Sequence, residues 1–248
     1  ETCHALAGRG HEVRLVVRPD AHTPSRDPFE YYGLEPTSRL VVERAPARGP
    51  QVARRVSYLA YAAARVTGGG HSDVVMTRDL AVASLLLRLP ARTPVVYETH
   101  GYAPEVSAAL PELVSSAHPP DPAKLARLAR RESYVWQHAD GYVAITRGLA
   151  ESLTARFGPR ARLAVVPDGA RVTRQPPHPG ALAPCSIAYA GHLYAWKGVD
   201  VLLQAIAQVP EVRGLIVGGH EQEPDLARLR ALAKGLRIED RVTFTGHL

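Results

Sequence analysis

Short apolar runs alternate with longer amphipathic segments along most of this chain. The apolar runs are rich in β-branched residues and bounded by polar or turn residues, which is typical of parallel strands buried on both faces. In the first part of the chain they cover residues 13–17, 40–42, 74–76, 95–97, 142–145 and 163–166. Between them, apolar positions recur at helical spacing over residues 52–66, 80–87, 125–138 and 149–156. The alternation predicts an α/β domain with a doubly wound parallel sheet.

The same alternation resumes near the end of the sequence, with glycine after each strand. One apolar strand stops at Gly191, and a helix begins a few residues later with Lys197 at its start. A strand over residues 214–217 precedes Gly218 and Gly219, and a strand over residues 242–245 ends at Gly246. Because strand, glycine and helix recur in register, we predict a second Rossmann-like domain.

A proline-rich segment without periodicity, residues 173–184, separates the two patterns. We therefore predict a first domain over residues 1–172, a stiff linker over residues 173–184 and a second domain over residues 185–248. Residues 23–36 and 101–120 are predicted to be variable surface loops.

The segment IAYAGHLYAWKG, residues 187–198, has the composition of an anion site. Gly191 allows a ligand to approach the backbone, the N–H groups at the start of the helix favour phosphate, and Lys197 adds a full charge. The alternative is an ordinary αβ unit whose helix happens to begin with lysine and glycine.

The order of the motifs resembles a known family. The segments IAYAGHLYAWKGVDVLLQAI, LIVGGHEQEPDLARL and DRVTFTGHL resemble the nucleotide-sugar-binding half of family 4 glycosyltransferases, which have the GT-B fold of two Rossmann-like domains. VVYETHGYAPE, ADGYVAITRGLAESL and VVPDGA resemble the N-terminal, acceptor-side half. The resemblance implies a retaining transfer of a hexose from a UDP- or GDP-sugar to a hydroxyl acceptor, without a cofactor.

The resemblance also implies parts that this sequence does not include. Family members have an opening strand with a Gly-rich loop, and a pair of glutamates that hold the donor sugar and ribose. We expect both beyond the ends of this chain, which would make the second domain truncated and the 248-residue chain alone inactive.

The donor site follows from the resemblance residue by residue. It implies diphosphate contacts at Gly191, His192 and Lys197, and close approach of the backbone to the nucleotide at Gly218 and Gly219. Gly246, His247 and Leu248 match the segment that meets the base. Family members usually have arginine where His192 stands, and neutral histidine lacks the permanent charge and the fork of arginine, so Lys197 gains importance.

Two titratable residues, Glu98 and His100, follow the strand at residues 95–97. Ligands on such sheets bind beyond the carboxyl ends of the strands. The resemblance implies that His100 contacts the donor sugar near the reacting carbon, and a neutral imidazole could also orient an acceptor hydroxyl or shuttle its proton. The alternative for both residues is a structural role in the loop. At other strand ends, Thr146 is predicted to be a helix N-cap, and a plain turn stays open for Asp168.

Charge and composition reduce the number of partner classes that the sequence favours. The formal net charge is +6, but the arginines are scattered without an aromatic platform, which argues against nucleic acid. Basic helical stripes such as Arg54 and Arg55 leave open a peripheral contact with the inner face of a membrane, although solvated helix faces are favoured. No apolar run is long enough to span a bilayer, so a cytoplasmic protein is expected. An Asp-x-Asp pair and metal-spaced ligands are both missing from the sequence, which predicts metal-independent chemistry.

Two other functions remain open at this stage. One is an isomerase of the same architecture, such as a nucleotide-sugar 2-epimerase. The other is a non-catalytic nucleotide-sugar-binding module, which the histidine at position 192 makes conceivable.

Overall fold

The computed structural model describes residues 1–18, 26–46, 49–68, 72–90, 93–113, 119–169, 186–219 and 224–246. The chain divides into two units, Glu1–Tyr102 with Arg127–Asp168, and Ala103–Ala126 with Gly169–Leu248. The predicted linker lies outside the described residues, and the predicted boundaries at residues 172 and 185 stay predictions. Segment Ala103–Ala126 groups with the second unit and not with the sequence on either side of it.

Parallel strands alternate with helices in the first unit. Strands β1 (Val13–Val17) and β2 (Leu40–Arg44) pair with each other in parallel. A four-stranded parallel sheet has the order β3-β4-β5-β6, formed by Val75–Thr77, Val95–Thr99, Gly141–Ala144 and Leu163–Val165. The helices from this part of the chain are α1 (Thr2–Gly8), α2 (Pro28–Tyr31), α3 (Gln51–Thr67), α4 (Leu80–Leu86), α5 (Ala103–Leu113), α6 (Pro122–His138) and α7 (Arg147–Phe157).

Aromatic side chains fix strands β4 and β5 against α6. The ring of Tyr142 lies edge-on to Tyr97, with centroids 5.3 Å apart, and to Trp136, with centroids 4.9 Å apart. Its hydroxyl donates a 3.4 Å hydrogen bond to the fully buried carboxylate of Glu132. Burial, with the charge of Glu132 adding to it, raises the pKa of Tyr97 and of Tyr142, so both phenols remain protonated donors at neutral pH. These contacts hold the carboxyl end of β4 in place.

A three-stranded sheet belongs to the second unit. Its parallel strands have the order β7-β8-β9, formed by Ser186–Ala190, Arg213–Val217 and Val242–Gly246. A 3₁₀ turn, Ala195–Lys197, leads into α8 (Val199–Gln208), and α9 (Pro224–Gly235) connects β8 to β9. The helices pack on the sheet around a hydrophobic core, in which Leu193, Leu203, Ile216 and Leu229 are fully buried. The α/β fold with parallel sheets is thus confirmed.

Two predicted loops contain helices instead. Helix α2 lies inside residues 23–36, where the side chain of Asp27 accepts hydrogen bonds from the backbone N–H groups of Phe29 and Glu30 at 2.8 and 3.0 Å. Helix α5 lies inside residues 101–120 although it contains Pro111. Both segments were predicted to be variable surface loops, but each begins its helix with a proline in the first turn, Pro28 and Pro104, where proline costs no hydrogen bond. None of the helices in the described residues is long and apolar enough to cross a membrane.

Candidate functional site

A buried carboxylate at the end of β4 organises the candidate site in the first unit. Glu98 is 6% exposed. Its Oε1 lies 2.7 Å from Nη2 of Arg78 and 2.9 Å from Nε2 of His100. Both partners are about half exposed, with side-chain accessibilities of 52% for Arg78 and 41% for His100. The carboxylate is therefore inside and its two partners reach the surface.

The hydrogen bond between Glu98 and His100 indicates which nitrogen of the imidazole carries a proton. An ionised carboxylate only accepts hydrogen bonds, so Nε2 of His100 must carry the proton that it donates at 2.9 Å. In the neutral ring, Nδ1 then has a free lone pair. The Arg78 guanidinium compensates the buried charge of Glu98. The arrangement can present a neutral imidazole as a hydrogen-bond or proton acceptor.

Asp168 lies close to these two residues. Glu98, His100 and Asp168 each place one potential ligand atom within 4.8 Å of the others, although their spacing in the sequence does not indicate a metal site. Arg78 and His100 both lie within hydrogen-bond distance of the same oxygen of Glu98, Oε1. Metal-independent chemistry stays a prediction. The carboxylate of Asp168 lies close to the imidazole of His100.

Arg78 was missed in the sequence, although the available signal could have found it. It directly follows β3, the neighbour of β4, and the carboxyl ends of parallel strands meet at one edge of a sheet. The predicted N-cap at Thr146 is confirmed, since its hydroxyl accepts a 3.2 Å hydrogen bond from the backbone N–H of Leu149. Thr146 therefore has a structural explanation.

Two of the three arginines of α3 pair with carboxylates of the protein. The guanidinium of Arg55 binds both carboxylate oxygens of Asp79, at 2.7 and 2.8 Å. Arg65 lies 2.8 Å from the carboxylate of Glu43. The pair of Arg55 with Asp79 accounts for one charge of the predicted basic stripe, and the membrane contact stays a prediction.

A cavity of about 490 Å³ lies near the starts of β5 and β6, at the edge of the four-stranded sheet opposite to the edge with Glu98 and His100. Its lining includes Arg160, whose guanidinium donates to the carbonyls of Trp136 and Ala139 at the end of α6. Arg160 is thus used to satisfy the helix terminus. The cavity lies away from Glu98 and His100, and we assign no chemistry to it.

Glycines end the three strands of the second unit and contact one another. Gly191, Gly218, Gly219 and Gly246 have φ values of 148°, 130°, 84° and 73°, which L side chains rarely adopt. The N–H of Gly191 donates to Val217 at 3.0 Å, and that of Gly218 donates to Gly246 at 2.9 Å. A methyl group on Gly218 would overlap the carbonyl oxygen of Gly191, and one on Gly219 would overlap the side chain of Leu193.

These contacts add a structural reason for the glycines. The space that a side chain would need at Gly218 and Gly219 is occupied by the protein itself. Their predicted role in admitting the nucleotide is therefore untested and stays a prediction. The same holds for Gly246, while His247 and Leu248 lie outside the described residues.

Alanine at position 218 should destabilise the second unit by on the order of 3 kcal/mol, because backbone strain and overlap with a neighbouring backbone act together. Denaturant unfolding followed by circular dichroism measures this. The matched control is Gly235→Ala at the end of α9, where a methyl group meets no atom within 4 Å. Equal stability of Gly218→Ala and Gly235→Ala would contradict the interpretation of the glycine contacts.

Lys197 ends the 3₁₀ turn that precedes α8 and is exposed. Gly198 follows in the left-handed region, with a φ of 72°, and the chain then enters the helix. The Nζ of Lys197 lies 4.1 Å from the centroid of the Trp196 ring. His192 is also exposed, and its carbonyl accepts a 2.6 Å hydrogen bond from the hydroxyl of Tyr189. The strand-end loop therefore presents a cation and an imidazole at its surface.

Two protein-family models match this chain. Residues 1–169 match the model described as "Glycosyl transferase 4-like domain", and residues 184–248 match the model described as "Glycosyl transferases group 1". The first match alone covers more than half of the chain.

Individual proteins agree with these matches. D-inositol 3-phosphate glycosyltransferase of Xylanimonas cellulosilytica is 34% identical, over 98% of this chain and 62% of that protein. Among solved structures, sucrose-phosphate synthase from Thermosynechococcus elongatus has a TM-score of 0.71 at 20% identity, over 99% of this chain and 63% of that one. Anabaena Alr3699/HepE in complex with UDP and glucose has a TM-score of 0.60 at 18% identity, over 85% of this chain and 57% of that one.

This chain spans less than two thirds of the length of each of these proteins. The family matches and the fold likeness nevertheless confirm the resemblance that the order of motifs indicated. The chain belongs to the family 4 glycosyltransferases, which have the GT-B fold.

Proposed function

We propose that this chain carries part of the site of a retaining, metal-independent transferase that moves a hexose from a UDP- or GDP-sugar to a hydroxyl acceptor. The observation that carries the proposal is the buried Glu98 carboxylate, whose Oε1 lies 2.9 Å from Nε2 of His100 at the carboxyl end of a parallel strand. Such an edge is where ligands bind on these sheets. The solved complex of Anabaena Alr3699/HepE with UDP and glucose supports a uridine donor among the candidates.

His100 would act at the reacting carbon. With Nε2–H committed to Glu98, the free Nδ1 can accept a hydrogen bond from an acceptor hydroxyl or from a hydroxyl of the donor sugar. A fixed tautomer reduces the reorganisation that the imidazole needs during the reaction. Asp168, close to the same ring, would favour positive charge that develops there.

Lys197 would act on the leaving group. Breaking the glycosidic bond leaves negative charge on the nucleoside diphosphate, and a lysine beside backbone N–H donors stabilises such charge. His192, in the place where the family usually has arginine, can add one hydrogen bond when it is neutral. Lys197 and His192 both lie between β7 and α8, and we propose that both side chains contact the diphosphate.

The test is donor turnover. The full-length protein is incubated with a panel of UDP- and GDP-sugars, a chelator and candidate hydroxyl acceptors, and release of nucleoside diphosphate is measured. We expect acceptor-dependent release that the chelator does not abolish, with retention of configuration in the product by NMR. Loss of activity with chelator that returns with added divalent metal would overturn the metal-independent part.

The same assay separates the alternatives. A 2-epimerase would convert the donor into an epimer without acceptor, and a binding module would bind nucleotide sugar without releasing diphosphate. Either result would replace the transferase proposal.

A further inference from the structure

Three alternate residues of the loop after β7 stack their rings on one another. The centroids of His192 and Tyr194 are 5.0 Å apart with an interplanar angle of 7°, and those of Tyr194 and Trp196 are 6.5 Å apart with an angle of 19°. We name His192, Tyr194 and Trp196 the aromatic ladder. Leu193, between the first two, is fully buried. The extended backbone thus sends one side chain into the core and its neighbours outward.

The backbone beneath the aromatic ladder is held at several points. The hydroxyl of Tyr189 donates to the carbonyl of His192 at 2.6 Å, and the buried Leu193 side chain belongs to the core of the second unit. The N–H of Lys197 donates to the carbonyl of Tyr194 at 2.8 Å, which closes the 3₁₀ turn. The rings therefore stand on a fixed loop, although Trp196 itself is 53% exposed.

Lys197 lies at the end of the aromatic ladder. Its Nζ is 4.1 Å from the centroid of Trp196, within the range of a cation–π interaction. Within the described residues, no carboxylate lies at ion-pair distance from this ammonium. A long exposed lysine otherwise samples many rotamers, so the indole ring is the contact that restrains it.

We propose that Trp196, supported by Tyr194 and His192, is a positioning residue that holds the ammonium of Lys197 ready for the diphosphate of the donor. The inference rests on the proposed function for the identity of the ligand. The indole acts through the lysine: it lowers the entropy lost when the ammonium meets the phosphate oxygens. The electron-rich ring also leaves the charge of Lys197 available, whereas a carboxylate partner would compete with the ligand.

A double-mutant cycle tests the inference on the full-length protein, with UDP and GDP as probes in titration calorimetry. Trp196→Ala should weaken binding about two- to five-fold, the range of an exposed cation–π interaction. In the Lys197→Ala background the same substitution should have no further effect. Trp196→Phe, which keeps a ring face, should recover most of the affinity. Val201→Ala, at a 62% exposed position of α8, is the control that should change nothing.

Equal weakening by Trp196→Ala in both backgrounds would show a general effect on the loop and would overturn the positioning role. Wild-type affinity of Trp196→Ala would overturn it as well. A second readout does not need a donor: the ring current of Trp196 should shift the NMR signals of the Lys197 side chain upfield, and Trp196→Ala should remove the shift.

The two readouts distinguish the failure of each proposal. If the protein binds neither nucleotide while the lysine signal is shifted, the proposed donor function fails and the geometry of the aromatic ladder stands. If nucleotide binds and depends on Lys197 but the lysine signal is unshifted in the free protein, the positioning role fails and the donor function stands.

Discussion

Replacing Lys197 with alanine should weaken binding of the donor nucleotide by about ten- to a hundred-fold. A hydrogen bond to a charged group contributes about 1.5–3 kcal/mol, which corresponds to that factor. The effect should be large here because His192 stands where arginine would supply a second permanent charge. Affinity for UDP and GDP, measured by calorimetry on the full-length protein, checks the expectation.

Lys234→Ala is the matched control for Lys197→Ala. Lys234 is an exposed lysine in the last turn of α9, in the same unit, so its removal lowers the net charge equally. Salt should weaken binding by wild type more than binding by Lys197→Ala, because one screened contact is gone in the variant. Equal affinities of wild type, Lys197→Ala and Lys234→Ala would remove Lys197 from the donor site.

Glu98→Gln should lower the rate of sugar transfer by about a hundred-fold while nucleotide affinity stays close to wild type. The amide has nearly the same shape as the carboxylate, but it is neutral and can donate as well as accept. His100 then loses the partner that fixes the proton on Nε2, and correctly placed acid–base groups contribute a hundred-fold or more. Steady-state kinetics with saturating donor checks this expectation.

Two further variants make the Glu98 result specific. Glu151→Gln changes an exposed carboxylate on α7 and should leave the rate unchanged. Arg78→Ala should have a smaller effect than Glu98→Gln, because the 2.9 Å bond between Glu98 and His100 remains. A Glu98→Gln protein with normal folding and a wild-type rate would support the structural role in the loop that remained open for this residue.

The strands were readable from the sequence because each is a short β-branched run between polar residues. The predicted strand 13–17 corresponds to β1, Val13–Val17, and the run at residues 95–97 lies within β4. Helix α5 was not predicted, because residues 101–120 were interpreted as a variable surface loop, and the helix tolerates Pro111 inside it. Proline marks a break only where its neighbours need the missing hydrogen bond, and one sequence does not show that need.

The candidate site shows the same division. Glu98 and His100 were predicted because residues after strands are where α/β sheets bind ligands, and Lys197 was predicted because it stands at the start of a helix. Arg78 belongs to the same edge, but its importance comes from a 2.7 Å contact across neighbouring strands, which sequence spacing does not encode. The stacking of His192, Tyr194 and Trp196 is likewise a property of side-chain orientation in the loop and the 3₁₀ turn after β7.

The glycines that end the strands of the three-stranded sheet contact one another, and these contacts limit which residues can replace them. Because the backbone at Gly218 touches that at Gly191, a larger residue at position 218 requires movement of its neighbour as well. Exposed positions that meet no such backbone contact, such as Ala195 in the 3₁₀ turn, are free of this constraint. An engineer who alters this part of the protein should therefore keep the glycine framework constant and introduce variation outside it.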